Sequence, residues 1–146
     1  MTDMHQQLAL AKSRLSQNAH LKCVLCKNGQ FYESEKRGVA PMLDFLDAGL
    51  ELCGFSAADR VVGRATAYLF VLAGVGAVYS DVMSTGACEV LERFGIHHEA
   101  RETVPYIINR RGDGMCPMEA AVLSLDDPNE AHRAIRRTLQ ALQKQA

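Results

Sequence analysis

Asn28-Gly29 constrains the fold more than any other feature, because it lies between two strand-like runs, residues 21–27 and 30–35. This dipeptide suits the positive φ angles of a two-residue type I′ turn, so the pattern predicts an antiparallel hairpin. Helix-like and strand-like segments then alternate along the chain. Since parallel strands in one sheet need helical crossovers, this order predicts an α/β fold with three layers, α/β/α, and a mixed sheet of about five strands.

Apolar periodicity and capping residues locate the individual elements. The run from Ser56 to Asp59 (SAAD) is typical of a helix start, with a hydroxyl and a carboxylate near the positive helix end, and it predicts a helix that continues to Ala73. Ser84 and Thr85 are likewise expected to cap a helix. The other predicted elements are helices over residues 2–16, after Gly38 and from Pro128, and strands over residues 77–82, 96–104 and 106–109.

Composition favours one cytoplasmic domain. At 146 residues the chain has the usual size of a single domain, and we assign residues 1–146 to it, with a core over about residues 21–125 and flanking terminal helices. No apolar run approaches the roughly 18 residues that span a bilayer, and residues 1–7 resemble no signal segment. Five cysteines without regular spacing fit a reducing compartment. We expect no membrane association and no structural disulfide.

Charge and metal-ligand spacing exclude two classes of partner. A net charge of −1 gives no general attraction to nucleic acid, so no nucleic-acid partner is expected. Cys23 and Cys26 have zinc-ribbon spacing, but residues three apart on a strand project to opposite faces and cannot chelate together. The adjacent His97 and His98 face opposite ways for the same reason. We therefore expect no metal site and no cofactor.

The segment from residue 106 to 119 combines several features of a ligand site. Gly112 and Gly114 permit positive φ angles and a close approach of the backbone to a ligand. Asn109 and Arg110 add hydrogen-bond donors, and this composition suits an anion. The alternative is a turn in which both glycines serve geometry alone. The coincidence of these features favours a ligand-binding loop.

Cys116 and Glu119 are the candidate catalytic residues of this segment. If Pro117 begins a helix, Cys116 is its N-cap, where the helix dipole and free N–H groups stabilise a thiolate. Glu119 falls in the same first turn, where it either caps the helix or accepts a proton close to the thiol. The alternative is that the cysteine is a packing residue.

Three further candidates stand near predicted helix starts. Ligands of open α/β sheets gather beyond the carboxyl ends of the parallel strands, where helix N-termini point free N–H groups at them. Ser84 and Thr85 follow such a strand and are candidate ligand-binding residues, with ordinary capping as the alternative. Arg64 interrupts an apolar helix next to Gly63, whose alternative role is close helix packing.

Three stretches carry a resemblance to a known family: residues 59–65 (DRVVGRA), 104–110 (VPYIINR) and 114–119 (GMCPME). They resemble an uncharacterised prokaryotic family of domains of unknown function, which is placed in the cytidine-deaminase-like superfamily. The resemblance covers roughly residues 21–125. It implies a deaminase-like three-layer fold, in agreement with the order of elements.

The resemblance does not extend to the zinc site of the deaminases. Those enzymes carry a His or Cys two residues before a catalytic Glu at one helix start, and a PCxxC motif at the next. The corresponding helix starts here are residues 62–66 (VGRAT) and 84–88 (STGAC), which lack that set of donors. The superfamily also includes zinc-free formyl-transferring and sulfur-transferring members, so the resemblance implies a pocket without a zinc-bound water.

Three hypotheses about function follow. In the first, the protein binds a small anionic or nucleotide-like metabolite, either as a binding protein or as a zinc-independent enzyme. In the second, it is a non-catalytic interaction module, capable of forming a homodimer, that has lost deaminase chemistry. In the third, Cys116 and Cys88 retain a residual metal site. The chain alone does not decide whether it is an enzyme.

Overall fold

A computed structural model describes residues 3–145 of the chain. Within these described residues, eleven helices and strands follow one another, and the strands form one sheet in the order β2-β1-β3-β4-β5. The elements are α1 (Met4–Gln17), β1 (Cys23–Lys27), β2 (Gln30–Ser34), α2 (Ala40–Asp47), β3 (Ser56–Val62), α3 (Arg64–Ala73), β4 (Ala77–Ser84), α4 (Thr85–Arg93), β5 (His97–Val104), α5 (Pro117–Ala121) and α6 (Pro128–Gln145).

The sheet is mixed, as its connections require. β1 pairs antiparallel with β2 and β3, whereas β3, β4 and β5 are parallel and are joined by the crossover helices α3 and α4. The predicted hairpin is confirmed, and its turn has positive φ angles at Asn28 (49°) and Gly29 (82°).

The helices cover both faces of the sheet. Helix α1 lies on one face, where Ala11 and Leu15 pack against Val24 and Ala58. On the opposite face, residues of α2, α3, α4 and α6 form the larger core with the sheet, and Tyr68 and Phe70 of α3 are fully buried at its centre. The predicted three-layer α/β/α fold with five strands is therefore confirmed.

The predicted helix from Ser56 to Ala73 is wrong in its first half, which is strand β3. Ser56 caps no helix, and its hydroxyl donates to the carbonyl of Met4 (3.3 Å). Pairing with β1 on one side and β4 on the other outweighs the helical preference of Ala57 and Ala58, which both lie in the sheet interior. Helix α3 begins only after the extended residue Gly63.

Other predicted elements differ less. The predicted strand at residues 106–109 is reduced to an isolated bridge between Ile108 and Met115. Helices α1, α4 and α6 and strands β4 and β5 lie close to their predicted positions, although residue 2 of the predicted first helix is outside the described residues. Cys23 and Cys26 lie in different core clusters, on opposite faces of the sheet as expected. Within residues 3–145, no helix is both long and apolar enough to cross a membrane.

Candidate functional site

The functional candidates gather at the carboxyl edge of the sheet, by which we mean the edge where β3, β4 and β5 end. Helices α3 and α4 begin there, directly after strands β3 and β4. The segment of residues 105–119 crosses the same edge, because its residues line clefts together with the last residues of all three strands. This is the edge at which parallel α/β sheets bind their ligands.

Glu119 closes the start of α3. Its side chain is buried, with 5% of the residue exposed, and its Oε1 accepts a hydrogen bond from the N–H of Arg64, the first residue of α3. Its Oε2 accepts from the N–H of Ile107 (3.1 Å). A carboxylate is stabilised at a helix N-terminus by the dipole and by free N–H groups. Glu119 therefore caps α3, a helix far from it in sequence, and holds the 105–119 segment against it.

Gly63 makes room for that carboxylate. A Cβ atom at this position would lie 2.7 Å from Oε1 of Glu119 and 3.0 Å from Ile107. The backbone at Gly63 is extended (φ −98°, ψ 179°), so no positive φ angle requires glycine. The close approach of the Glu119 side chain accounts for the glycine, rather than the close helix packing considered from sequence.

Arg64 holds the segment after α5 in place. Its guanidinium donates to the carbonyls of Val122 (3.2 Å) and Leu125 (3.0 Å), and lies 3.5 Å from the carboxylate of Glu89. It also lies over the ring of Tyr68, and only 12% of the side chain is exposed. These contacts use most of its donors, and they tie α3 to the chain between α5 and α6. They support a structural role more directly than the predicted binding of an anion.

Ser84 and Thr85 differ in accessibility. Ser84 is fully buried and its hydroxyl accepts from the N–H of Ala87 (3.1 Å), so it caps α4 as the alternative interpretation held. Thr85 is exposed, and its hydroxyl donates to the carbonyl of Pro105 (3.1 Å). Thr85 and Gly86 line a cleft of about 210 Å³ between the starts of α3 and α4. We call this the helix-start cleft.

The predicted donors at residues 109–114 lie in a turn whose polar groups form hydrogen bonds with one another. The side-chain oxygen of Asn109 accepts from the N–H groups of Gly112 (2.8 Å) and Asp113 (3.2 Å), and its amide donates to Asp113 (2.9 Å). Gly112 has a φ angle of 76°, and the carbonyl of Gly114 accepts from the N–H of Asn109 (2.8 Å). Arg110 is exposed on this turn. None of the clefts described here is lined by these four predicted residues, and the positive φ angle accounts for Gly112.

Cys116 is the N-cap of α5, as predicted, but this helix has only five residues. The cysteine is half-buried and lines a cavity of about 60 Å³ with Gly63, Thr66 and Met118. Both oxygens of Glu119 accept backbone N–H groups, so the carboxylate is already committed away from the thiol. The contacts of Cys116 therefore resemble those of a wall residue more than those of an activated nucleophile.

The largest apolar cleft at the carboxyl edge has a volume of about 420 Å³. Val61, Val82 and Val104, near the ends of the three parallel strands, form its floor. Tyr106 and Ile108 form its wall and are 42% and 60% exposed. We call this the Tyr106 cleft. Its sequence signal was the apolar start of the 106–119 segment, which we interpreted as a short strand.

A second group of candidate residues was not among the site residues assigned from sequence. Asp59 lies within β3, is only 3% exposed, and lines a cleft of about 250 Å³ with Arg37, Gly38 and Lys22. We call this the Asp59 cleft. Burial raises the pKa of Asp59 to about 7, while backbone N–H groups of Val61 and Arg60 oppose that rise. The available signal was an acidic residue inside an apolar run, but we interpreted Asp59 as part of a helix start.

The residues at the two helix starts do not fit the zinc centre of the deaminases, which the resemblance did not extend to. The start of α3 offers Gly63 and Arg64, and the hydroxyl of Ser84 is used to cap α4. Cys88 is a single thiol on α4 and does not line the Cys116 cavity. Among residues 3–145, no three or more His, Cys, Asp or Glu side chains form a group able to hold a metal ion.

Comparisons with solved structures find similar proteins. A protein of the DUF1893 family from Thermotoga maritima has a similar structure, with a TM-score of 0.79 and 22% identity, covering 97% of this chain and 92% of the other. A dCMP deaminase of the cyanophage S-TIM5 gives a TM-score of 0.46 with 13% identity, covering 71% of this chain and 100% of the other. A diaminohydroxyphosphoribosylaminopyrimidine deaminase/reductase from Thermotoga maritima gives 0.44 with 14% identity, covering 83% and 40%.

Family membership rests on the sequence match. No curated protein matches the chain. The family model described as a domain of unknown function (DUF1893) matches residues 11–139, which include both helix starts and the whole 105–119 segment. The prediction of an uncharacterised family is therefore confirmed, and the chain belongs to the DUF1893 family.

Proposed function

We propose that this protein binds a small nucleotide-like metabolite at the carboxyl edge of its sheet, without zinc. The observation that carries the proposal is the Tyr106 cleft, an apolar space of about 420 Å³ at the ends of three parallel strands. Ligand sites of this size typically combine apolar walls with a few polar groups that fix orientation. The valine floor and the Tyr106 ring suit a flat heterocycle.

Polar groups beside the cleft favour an anionic substituent on that ring. Pro105 and Tyr106 line both the Tyr106 cleft and the helix-start cleft, so the two clefts adjoin. The helix-start cleft is bordered by Thr85 and Gly86 in the first turn of α4, where the helix dipole favours negative charge. Arg64 also lines this cleft, together with the carboxylate of Glu89 with which it pairs. The proposal concerns binding and assigns no reaction.

Thermal unfolding with cytidine, adenosine, CMP and AMP tests the proposal. A ligand at 100 times its dissociation constant stabilises the native state by about 2.7 kcal/mol, which raises the midpoint of a chain this size by roughly 5–10 °C. Tyr106→Ala should abolish the shift. Phe94→Ala, which removes another exposed aromatic ring at the opposite end of α4, should preserve it. A chelator should change nothing, and the absence of any shift with all four compounds contradicts the proposal.

A non-catalytic interaction module is the second candidate. Ile108 and Leu123 are each 60% exposed at this edge, and exposed apolar side chains of this size favour contact with another protein. Light scattering after size exclusion, with wild-type protein and Ile108→Asp, distinguishes the two candidates. A homodimer that Ile108→Asp dissociates, together with no response to any nucleotide, supports the interaction module.

A further inference from the structure

The Asp59 cleft contains an acceptor that the protein leaves unsatisfied. Oδ1 of Asp59 accepts from the N–H of Val61 (3.4 Å), whereas Oδ2 is buried and has no hydrogen-bond partner among residues 3–145. The thiol of Cys23 lies opposite on β1 and interacts with the Asp59 carboxyl group, but it does not meet the geometry of a hydrogen bond to Oδ2. Buried polar atoms are paired in the great majority of folded proteins, so an isolated one indicates a partner that binds from outside.

The same cleft presents positive charge that the fold does not use. Arg37 lines it, and its guanidinium forms no ion pair or hydrogen bond with the described part of the chain. Lys22 also lines it, and its ammonium makes a single long contact with the carbonyl of Ala19 (3.4 Å). By contrast, the guanidinium of Arg60 is taken up by Asp81 and by backbone carbonyls including that of Leu15. Two cations therefore remain for an anion beside the buried carboxyl group.

The cleft is too small for a whole nucleotide but adjoins the Tyr106 cleft. Its volume is about 250 Å³, below the roughly 300–1,000 Å³ of typical sites for drug-sized ligands. Val61 lines both clefts, and it is exposed between them. A ligand can therefore extend over Val61 and place different parts in each cleft.

We propose that the Asp59 cleft binds a hydroxyl-bearing phosphate group, of the sugar phosphate class. A ligand hydroxyl donates to Oδ2 of Asp59, and the phosphate pairs with Arg37 and Lys22. A hydroxyl supplies the missing donor, and the two cations supply charge for the phosphate. This assignment rests on the proposed function, because it identifies the sugar phosphate as the part of the ligand outside the Tyr106 cleft.

Calorimetric titration with ribose 5-phosphate tests the inference, with inorganic phosphate and phosphoethanolamine as comparison compounds. Arg37→Ala should weaken ribose 5-phosphate binding about tenfold, since Arg37 is exposed and its removal does not disturb the fold. Asp59→Asn should weaken ribose 5-phosphate binding about tenfold as well. Arg133→Ala, which removes an exposed arginine on α6, is the matched control and should bind as wild type does.

The outcomes separate this inference from the proposed function. If nucleosides bind but ribose 5-phosphate does not, the inference is wrong and the proposed function stands. If ribose 5-phosphate binds in an Arg37-dependent manner but nucleosides do not bind, the proposed function is wrong and the inference about the Asp59 cleft stands. Equal binding of inorganic phosphate and ribose 5-phosphate overturns the role of Asp59. If phosphoethanolamine binds more tightly than ribose 5-phosphate, the assignment of a hydroxyl donor is wrong and the donor to Asp59 is an ammonium group.

Discussion

Asp59 should make the stability of this protein fall as pH rises from 5 to 8. Burial raises its pKa from 3.8 to about 7, so the folded state binds a proton more tightly than the unfolded chain. The stabilisation from this proton is fully present below the unfolded pKa and is lost as pH rises through the folded pKa. At 1.36 kcal/mol per pKa unit, the whole effect is about 4 kcal/mol. About 3 kcal/mol of it is lost between pH 5 and pH 8.

The charged groups around Asp59 do not change this sign. Arg60 lowers its pKa, and the cations Lys22 and Arg37 lie in the same cleft, yet burial outweighs the opposing interactions. Burial also raises the pKa of the Cys23 thiol well above its usual value, so Cys23 stays neutral over this pH range.

Asp59→Asn removes the titration and keeps the size of the side chain. The free energy of unfolding of the variant, measured relative to wild type, should therefore improve by about 3 kcal/mol between pH 5 and pH 8. The chain has no tryptophan, so urea unfolding is best followed by far-ultraviolet circular dichroism. With a slope of roughly 1–3 kcal/mol per molar urea, the relative midpoint shifts by about 1–3 M.

The comparison with wild type cancels the contribution of every other titrating group. Asp44→Asn, on an exposed carboxylate that pairs with Lys36, controls for the loss of a surface charge and should leave the pH dependence in place. A difference between Asp59→Asn and wild type that is the same at pH 5 and pH 8 refutes the reasoning. Asp59 then has a solvated or paired carboxyl group, and the Asp59 cleft loses its unsatisfied acceptor.

Two further predictions concern the 105–119 segment. Gly63→Ala should destabilise the protein by about 1–3 kcal/mol because the new Cβ displaces the Glu119 carboxylate. Gly76→Ala is the control and should destabilise it less, because there is room for a Cβ at Gly76. Equal urea midpoints for the two variants contradict this prediction. In alkylation with iodoacetamide followed by mass spectrometry, half-buried Cys116 should react more slowly than exposed Cys53, and faster reaction at Cys116 supports a nucleophilic role instead.

The reliable parts of the sequence interpretation were those with local causes. The Asn28-Gly29 turn needs positive φ angles that few other dipeptides tolerate, and Ser84 caps α4 through the N–H of Ala87, three residues away. Both interactions span a few residues, so the chain determines them without knowledge of the tertiary structure.

Strand β3 shows where that interpretation failed. Its residues, SAADRVV, include alanines that favour helix and valines that favour strand, so local preference is ambiguous. Both neighbouring strands are distant along the chain, because β1 starts at Cys23 and β4 at Ala77. Only the assembled sheet decides between helix and strand for these residues. Because we placed a helix start here, we did not assign Asp59 as a site residue.

The candidate site divides in the same way. The sequence by itself determined the hairpin, the α/β fold class, the family, and the concentration of unusual residues between 106 and 119. Only the tertiary structure decided that Glu119 caps α3 rather than its own helix, that Arg64 is held by backbone carbonyls, and that Asp59 is buried beside unpaired cations. The physical reason is that each of these contacts joins residues more than twenty positions apart, where burial and charge depend on how the layers pack.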